Sequence, residues 1–155
     1  MRVVILDETD RRLLRALQRN GRISNAELGA AVALSPSACH RRVARLEASG
    51  AIAAYVALLD RTAFNRRTTV FVEIRLTSQA EALLDAFEAA IARIPEILEC
   101  HLMAGTADYL VKIAVRDAEE FAALHRRHLS RLPGVAQMQS NFSLRRVRET
   151  TEIPV

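Results

Sequence analysis

The sequence predicts an α+β protein: an N-terminal helix-turn-helix domain followed by a C-terminal ferredoxin-like βαββαβ domain with an antiparallel sheet. Three observations carry that expectation. Residues 1–50 hold three short helical patterns, each with its own start and stop signals. Residues 66–148 alternate strand-like and helix-like stretches in the order βαββαβ. Between them IAAYVALLD, residues 52–60, reads as extended chain. The expected division is a helix-turn-helix domain over 1–51, an extended linker over 52–65, the ferredoxin-like domain over 66–148 and a tail over 149–155.

The first helix runs from about Asp7 to Asn20. Asp7 can cap it, and Leu13, Leu14 and Leu17 share one face. Asn20-Gly21 is its stop signal. The second opens on Ser24-Asn25-Ala26-Glu27, a capping box, with Leu28 and Val32 facing inward. The third opens on Ser35-Pro36, a cap followed by proline where its missing N–H costs nothing. It closes at Ser49-Gly50, with Gly50 suited to a left-handed stop. Only Ala33-Leu34-Ser35 separates the second and third helices, the short turn of a helix-turn-helix. On the third helix Cys39, Val43 and Leu46 form one inward stripe. Ser37, Arg41, Ala44 and Arg45 fall opposite, and His40 and Arg42 flank the stripe. An outward face that is small near its N-terminus and cationic beyond can enter a major groove. Arg11, Arg12, Arg15 and Arg19 on the first helix read instead as a solvated face.

In the second half TTVFVEIRL, residues 68–76, is rich in β-branched residues. SQAEALLDAFEAAIARI, residues 78–94, is helical, with Ser78 and Glu81 as a capping box and Pro95 as its end. EILECHLMAG and DYLVKIAVR are two strands around a turn at Gly105–Ala107. Residues 117–131 are helical, Pro133-Gly134 is a turn, and residues 135–147 form the last strand. The first strand puts Val70, Val72, Ile74 and Leu76 on one face and Thr69, Phe71, Glu73 and Arg75 on the other. Helices cover only one face of such a sheet, so the other is expected to pair with a second copy.

Composition excludes several classes. With 155 residues the chain makes one domain or two small ones. Half its residues are apolar but only 5% are aromatic, with no Trp, so aliphatic side chains must fill the core. No apolar run approaches the roughly 18 residues of a membrane span, and MRVVILDETD lacks a small-residue cleavage site. A cytoplasmic protein without a membrane partner is expected. Cys39 and Cys100 make neither a disulfide framework nor a zinc site. Lys112 is the single lysine, so 21 of the 22 basic residues are arginine. The resulting pI of 9.8 permits nucleic-acid binding without showing it. Cys100 and His101 are neighbours on a strand and point to opposite faces, which argues against a thiol enzyme. His125 and His128 have no third ligand nearby. No catalytic residue, metal or cofactor is expected.

LDETDRRLLRALQRNGRIS, LSPSACHRRVARLEASGAIAAY, AGTADYL and LPGV together resemble one family, the Lrp/AsnC "feast/famine" transcriptional regulators. The resemblance runs from Leu6 to about Pro154. It implies a helix-turn-helix, a ligand-sensing ferredoxin-like domain, and dimers that often assemble into octamers. It also implies an amino acid or related metabolite bound between C-terminal domains. The function expected is a sequence-specific DNA-binding transcription regulator. Its DNA affinity or oligomeric state would respond to a small effector, first an amino acid. A DNA-binding architectural protein that senses nothing is the alternative. Double-stranded DNA with a pseudo-palindromic operator, the effector and a second copy of the chain are the expected partners.

Ser35, Ser37, His40, Arg41, Arg42 and Arg45 match the family's DNA-facing segment. Ser35 and Ser37 should reach phosphates, Arg41 should read a guanine, and Arg42 and Arg45 should hold phosphates. The sensing loop matches at Met103, Gly105, Thr106, Ala107, Asp108 and Tyr109, with Ser140 and Asn141 adding polar contacts from the last strand. Asp108 either accepts an ammonium or fixes its own turn, and Tyr109 is either core or ligand wall. Three departures stand out. Thr106 replaces the aspartate of many relatives. Ala33 and Asn65 stand where relatives have glycine. If Ala33 requires a positive φ, it costs on the order of 1 kcal/mol.

Overall fold

The computed structural model describes residues 4–155; the first three residues of the MRVVILDETD stretch lie outside them. The described chain divides into two compact units. One joins the residues up to Leu58 with Val147–Val155, and the other is Leu59–Arg146. Among the described residues no helix is long and apolar enough to cross a membrane.

The first unit holds α1 (Glu8–Arg19), α2 (Asn25–Val32) and α3 (Pro36–Ala48). Each begins where its cap residue stands. Asp7, Ser24 and Ser35 accept the N–H groups of Asp10, Glu27 and Ala38. Glu27 completes the expected box on α2, and Asp10 completes one on α1. Leu13, Leu14, Leu28, Val32, Cys39, Val43 and Leu46 form the core between the helices. Aliphatic residues and one thiol fill it, as the low aromatic content requires.

The turn between α2 and α3 is tight for two reasons. Ala33 adopts the left-handed conformation, φ 60° and ψ 45°. Gly29 lies so close that a Cβ there would stand 2.7 Å from the Leu34 carbonyl oxygen. The Leu34 N–H then donates to the Gly29 carbonyl at 2.8 Å. Gly50 has φ +79°, the left-handed stop its position predicts. Asn20 instead ends α1 in extended backbone, and Gly21 has no positive φ. Residues 147–155 belong to this unit and lie against α1. Gln18 accepts the Ile153 N–H at 2.6 Å and donates back to its carbonyl at 3.0 Å. Arg15 donates twice to the Val155 carbonyl, and Arg19 pairs with Glu152.

The second unit runs β1 (Thr68–Leu76), α4 (Glu81–Ile91), β2 (Ile97–Leu102), β3 (Tyr109–Val115), α5 (Ala118–Arg127), a 3-10 turn at Leu129–Arg131, and β4 (Val135–Phe142). The sheet order is β2-β3-β1-β4 with every pair antiparallel. This is the ferredoxin-like βαββαβ arrangement the sequence predicts. Val70, Val72 and Ile74 of β1 meet Val111, Ile113 and Tyr109 of β3, with Phe87 and Ile91 of α4 and Phe121 and Leu124 of α5 above them. Thr69, Phe71, Glu73 and Arg75 occupy the opposite face, as alternation requires.

Several boundaries differ from the sequence reading: α4 ends at Ile91 and not at 94, residues 61–65 of the expected extended linker form turns, and two further differences have a visible cause. The α4 helix starts at Glu81 behind Ala80, which makes no side-chain cap. Ser78 accepts the Ala80 N–H at 3.1 Å in a local turn, so the expected Ser78–Glu81 box does not form. The reason is tertiary: the Gln79 side chain is drawn to Asp108 at 2.7 Å, which holds this stretch extended. The last strand ends at Phe142 and not at residue 147. Ser143 N–H still reaches the Thr69 carbonyl, but β1 begins at Thr68 and offers no further partner.

Ala33 and Asn65 are the non-glycine residues with positive φ among those described, at 60° and 54°. Alanine resists this region more than asparagine does. Ala33→Gly should therefore stabilise the protein by about 1 kcal/mol, and Asn65→Gly by less. Urea unfolding of both variants beside the parent checks the order.

Candidate nucleic-acid face and ligand concavity

The α3 helix presents Ser37, His40, Arg41, Ala44 and Arg45 to solvent, while Cys39, Val43 and Leu46 are buried. Ser35, also exposed, is committed at its hydroxyl: it accepts the Ala38 N–H and lies 3.3 Å from the Ser37 hydroxyl. His40 Nδ1 stands 3.4 Å from the Asn25 side-chain amide of α2. Burial raises the pKa of Cys39, so it is a core thiol.

The three arginines of α3 differ. Arg41 has no carboxylate partner among the described residues. Arg42 is drawn inward: its Nη1 donates to Asp7 Oδ2 at 2.6 Å and to Asp10 Oδ1 at 2.8 Å. Arg45 Nη2 donates to Asp10 Oδ2 at 2.5 Å, leaving its other N–H groups unused. Arg42, expected to hold a phosphate, has Nη1 engaged by both carboxylates and so closes an internal cluster. Arg45 retains donors for an outside partner. Asp10 is 1% exposed, yet fully engaged. It also accepts the Asp7 N–H at 3.2 Å. The Arg42 guanidinium lowers the Asp7 pKa, assisted by the Asp10 N–H. Sequence reading found the Asp7 cap but missed Asp10, although an acid three residues past a cap is the available signal.

In the second unit the loop between β2 and β3 is closed by Asp108. Its carboxylate accepts the Leu76 N–H and the Gln79 amide, each at 2.7 Å. Those bonds, the Leu76 N–H foremost, hold its pKa below the ordinary carboxylate value. The Asp108 carboxylate is thus engaged by the end of β1 and by Gln79. Main-chain bonds from Met103 to Asp108 and from Asp108 to Ile74 complete the closure. Tyr109 is core. Its ring lies 4.5 Å from that of Phe87, and its hydroxyl donates to Glu88 at 2.7 Å. Burial, then Glu88, raises its pKa. It lies on the helix side of the sheet, outside the concavity lined by Thr106 and Ala107.

Thr106 and Ala107 line a concavity of about 180 Å³ on the uncovered sheet face, together with Glu73, Arg75, Gln137 and Gln139. Glu73 and Arg75 make no ion pair with each other or with another described residue. A Cβ on neighbouring Gly105 would meet nothing within 4 Å, so its absence answers no need of this chain's own packing. Met103, 43% exposed, lies outside the lining. The register separates Ser140 from Asn141. Ser140 pairs with Val72 on the helix side, and Asn141 pairs with Phe71 on the open face, where Gln139 donates to it at 3.4 Å. The sequence noted Glu73 and Arg75 as charges on an apolar strand, but nothing local tied them to the loop.

The register also sets Cys100 opposite Val111 and His101 opposite Leu110, on different faces. Burial pushes the Cys100 thiol up to about 11. His101 Nε2 lies 3.4 Å from Glu99, which binds Lys112 at 2.6 Å. Among the described residues no group of three or more His, Cys, Asp and Glu could hold a metal ion.

Residues 6–47 match a family model described as an AsnC-type helix-turn-helix domain, and residues 69–153 one described as an Lrp/AsnC ligand binding domain. The leucine-responsive regulatory protein of Salmonella typhimurium is 41% identical over 150 residues, covering 97% of this chain and 92% of its own. That of Escherichia coli K12 is 40% identical over the same shares. A Neisseria meningitidis transcriptional regulator, solved as a complex with L-Met, superposes with TM-score 0.92 at 36% identity, covering 97% of each chain. An AsnC family transcriptional regulator from Agrobacterium tumefaciens gives 0.92 at 34%, covering 96% of this chain and 97% of its own.

The Asp108 staple has a pH signature. Its folded pKa is lowered, so its contribution to stability is present above 3.8 and is lost as pH falls through the folded value. Asp108→Asn should be less stable than the parent at neutral pH. The difference should vanish in acid, as thermal unfolding across pH 2 to 7 will read.

Proposed function

Since the chain belongs to the Lrp/AsnC family of transcription regulators, with its helix-turn-helix and ligand-binding domains, we propose which residues meet DNA and which meet the effector. The exposed face of α3 enters the major groove, and Arg41 reads a base through its two-pronged guanidinium. The observation that carries this is the division among the arginines. Arg41 is the one on α3 with no internal carboxylate. Ser37 and the unused donors of Arg45 reach phosphates. Ser35 acts at one remove, as the cap that fixes the start of the helix.

The effector is an amino acid, held in the concavity beside Thr106 and Ala107. A zwitterion needs an acceptor for its ammonium and donors for its carboxylate. Unpaired Glu73 and Arg75 supply both within one concavity, and the Gly105 main chain is open to close approach. The L-Met complex of the Neisseria meningitidis relative supports this ligand class.

The protein works as a homodimer or a higher assembly. Phe71 and Leu110 on the face opposite the helices give a second copy its apolar contact. A two-fold pair of α3 helices would lie about 34–36 Å apart and prefer pseudo-palindromic sites. The protein acts in the cytoplasm and catalyses no reaction.

Arg41→Ala should cost about 1–3 kcal/mol against the preferred operator and relax specificity at one base pair. Titration against a selected duplex and its single-base variants measures both. Unchanged affinity and specificity would remove Arg41 from the assignment. A thermal-shift screen against the twenty amino acids tests the effector. A ligand at about 100 times its Kd stabilises by about 2.7 kcal/mol. Arg75→Ala should abolish the shift. No shift with any amino acid in the parent protein would favour the architectural reading.

A further inference from the structure

We propose that Asp10 is a positioning residue for DNA recognition: its buried carboxylate clamps Arg45, and through Arg42 the flank of α3, so that the helix meets DNA in one register. The proposal rests on the reading of α3 as the DNA-facing helix.

Asp10 lies on α1 and not on the helix-turn-helix pair, and it is too buried to touch DNA itself. Its two oxygens serve different arginines. Oδ1 takes Arg42, and Oδ2 takes Arg45 together with the Asp7 N–H. Arg42 is held from a second side by Asp7, so it is fixed. The Arg45 side chain is 56% exposed and engaged through one nitrogen. A free arginine side chain samples many rotamers, and ordering it opposes binding. Here one end of the fork is already held, and the other donors remain free for an oxyanion. The clamp therefore presents a pre-oriented guanidinium at the edge of the DNA-facing surface.

The consequence is for specificity more than for raw affinity. Phosphate contacts carry no sequence information, but they fix register and orientation. Arg41 finds its base only if Arg45 meets its phosphate at the right place. A loose Arg45 still attracts DNA, because its charge is unchanged. Neutralising Asp10 also removes a negative charge from the neighbourhood, which favours non-sequence-specific binding. The clamp hence raises the ratio of specific to non-specific affinity.

The probes are the tightest duplex that the parent protein selects from a random-sequence pool, and a scrambled duplex of equal length. Asp10→Asn keeps the shape and removes the charge. The ratio of affinities for the two duplexes should fall about tenfold, the size of one lost contact. Affinity for the scrambled duplex should hold or rise. Arg45→Lys keeps the charge without the fork and should lower the ratio by a similar factor, and the double variant should fall no further. Partial unfolding alone would weaken both duplexes equally and leave the ratio unchanged. Circular dichroism at the assay temperature corrects each titration for the folded fraction. An unchanged ratio in folded Asp10→Asn overturns the proposal, and so does strict additivity in the double variant. Selection that enriches no sequence, or no effect of Arg41→Ala, overturns the underlying reading of α3 as well. A specificity loss in Arg41→Ala beside an intact ratio in Asp10→Asn overturns the clamp alone.

Discussion

The first unit depends on one buried carboxylate. A charge removed from water is costly unless it is paired and hydrogen-bonded, and Asp10 is both. Two guanidinium groups and a main-chain N–H satisfy it. Losing one partner of such a cluster typically costs about 3–5 kcal/mol, because the remaining charge is stranded. The cluster ties α1 to α3, beside the aliphatic core the three helices share. It also explains how a helix carrying three arginines escapes being a uniform cationic surface. Two of them are answered by carboxylates of the same unit, and Arg41 is not.

In the second unit the organising constraint is the two-residue period of the strands. Helices α4 and α5 lie on one side only, so each strand residue is assigned to the core or to the uncovered face by parity. Tyr109, Cys100 and Ser140 fall on the helix side, and Glu73, Arg75, His101 and Asn141 fall on the other. Parity separates neighbours that look like a site in sequence, such as Cys100-His101 and Ser140-Asn141. It also gathers residues far apart in the chain. Glu73, Arg75, Gln137 and Gln139 meet across the β1–β4 ladder, and the stapled loop brings Thr106 and Ala107 beside them.

What was legible in the sequence follows from the range of the interaction involved. The β1 strand was readable to its ends because Thr68–Leu76 is rich in β-branched residues, with Val70, Val72, Ile74 and Leu76 alternating onto one face. The α2 and α3 caps were readable because a cap and its N–H lie within three residues. The left-handed Ala33 was foreseeable only through the resemblance, since alanine itself signals nothing of the kind. Failures occurred where a distant partner decides. Asp108 redirects Gln79 and delays the start of α4, and β4 ends where β1 has no more backbone to offer. Periodicity puts Arg42 only beside the buried stripe of α3; Asp7 and Asp10, more than thirty positions away, are what turn it inward.

The same distinction governs how charge becomes function here. The high pI is a property of the composition, and it could describe a diffuse cationic surface. The structure places much of that charge in specific bonds. Arg15 and Arg19 hold residues 152–155 against α1, Arg66 binds Glu120, and Lys112 binds Glu99. A charge held in such a bond contributes little to long-range attraction of DNA, because its partner's field cancels it at distance. Arg41 is uncommitted on α3, and Glu73 and Arg75 are uncommitted on the sheet. Each stands on a regular element whose buried face fixes its position. In the proposed reading, recognition in both units rests on a few charges the fold leaves unanswered, and their meaning comes from the many that it answers.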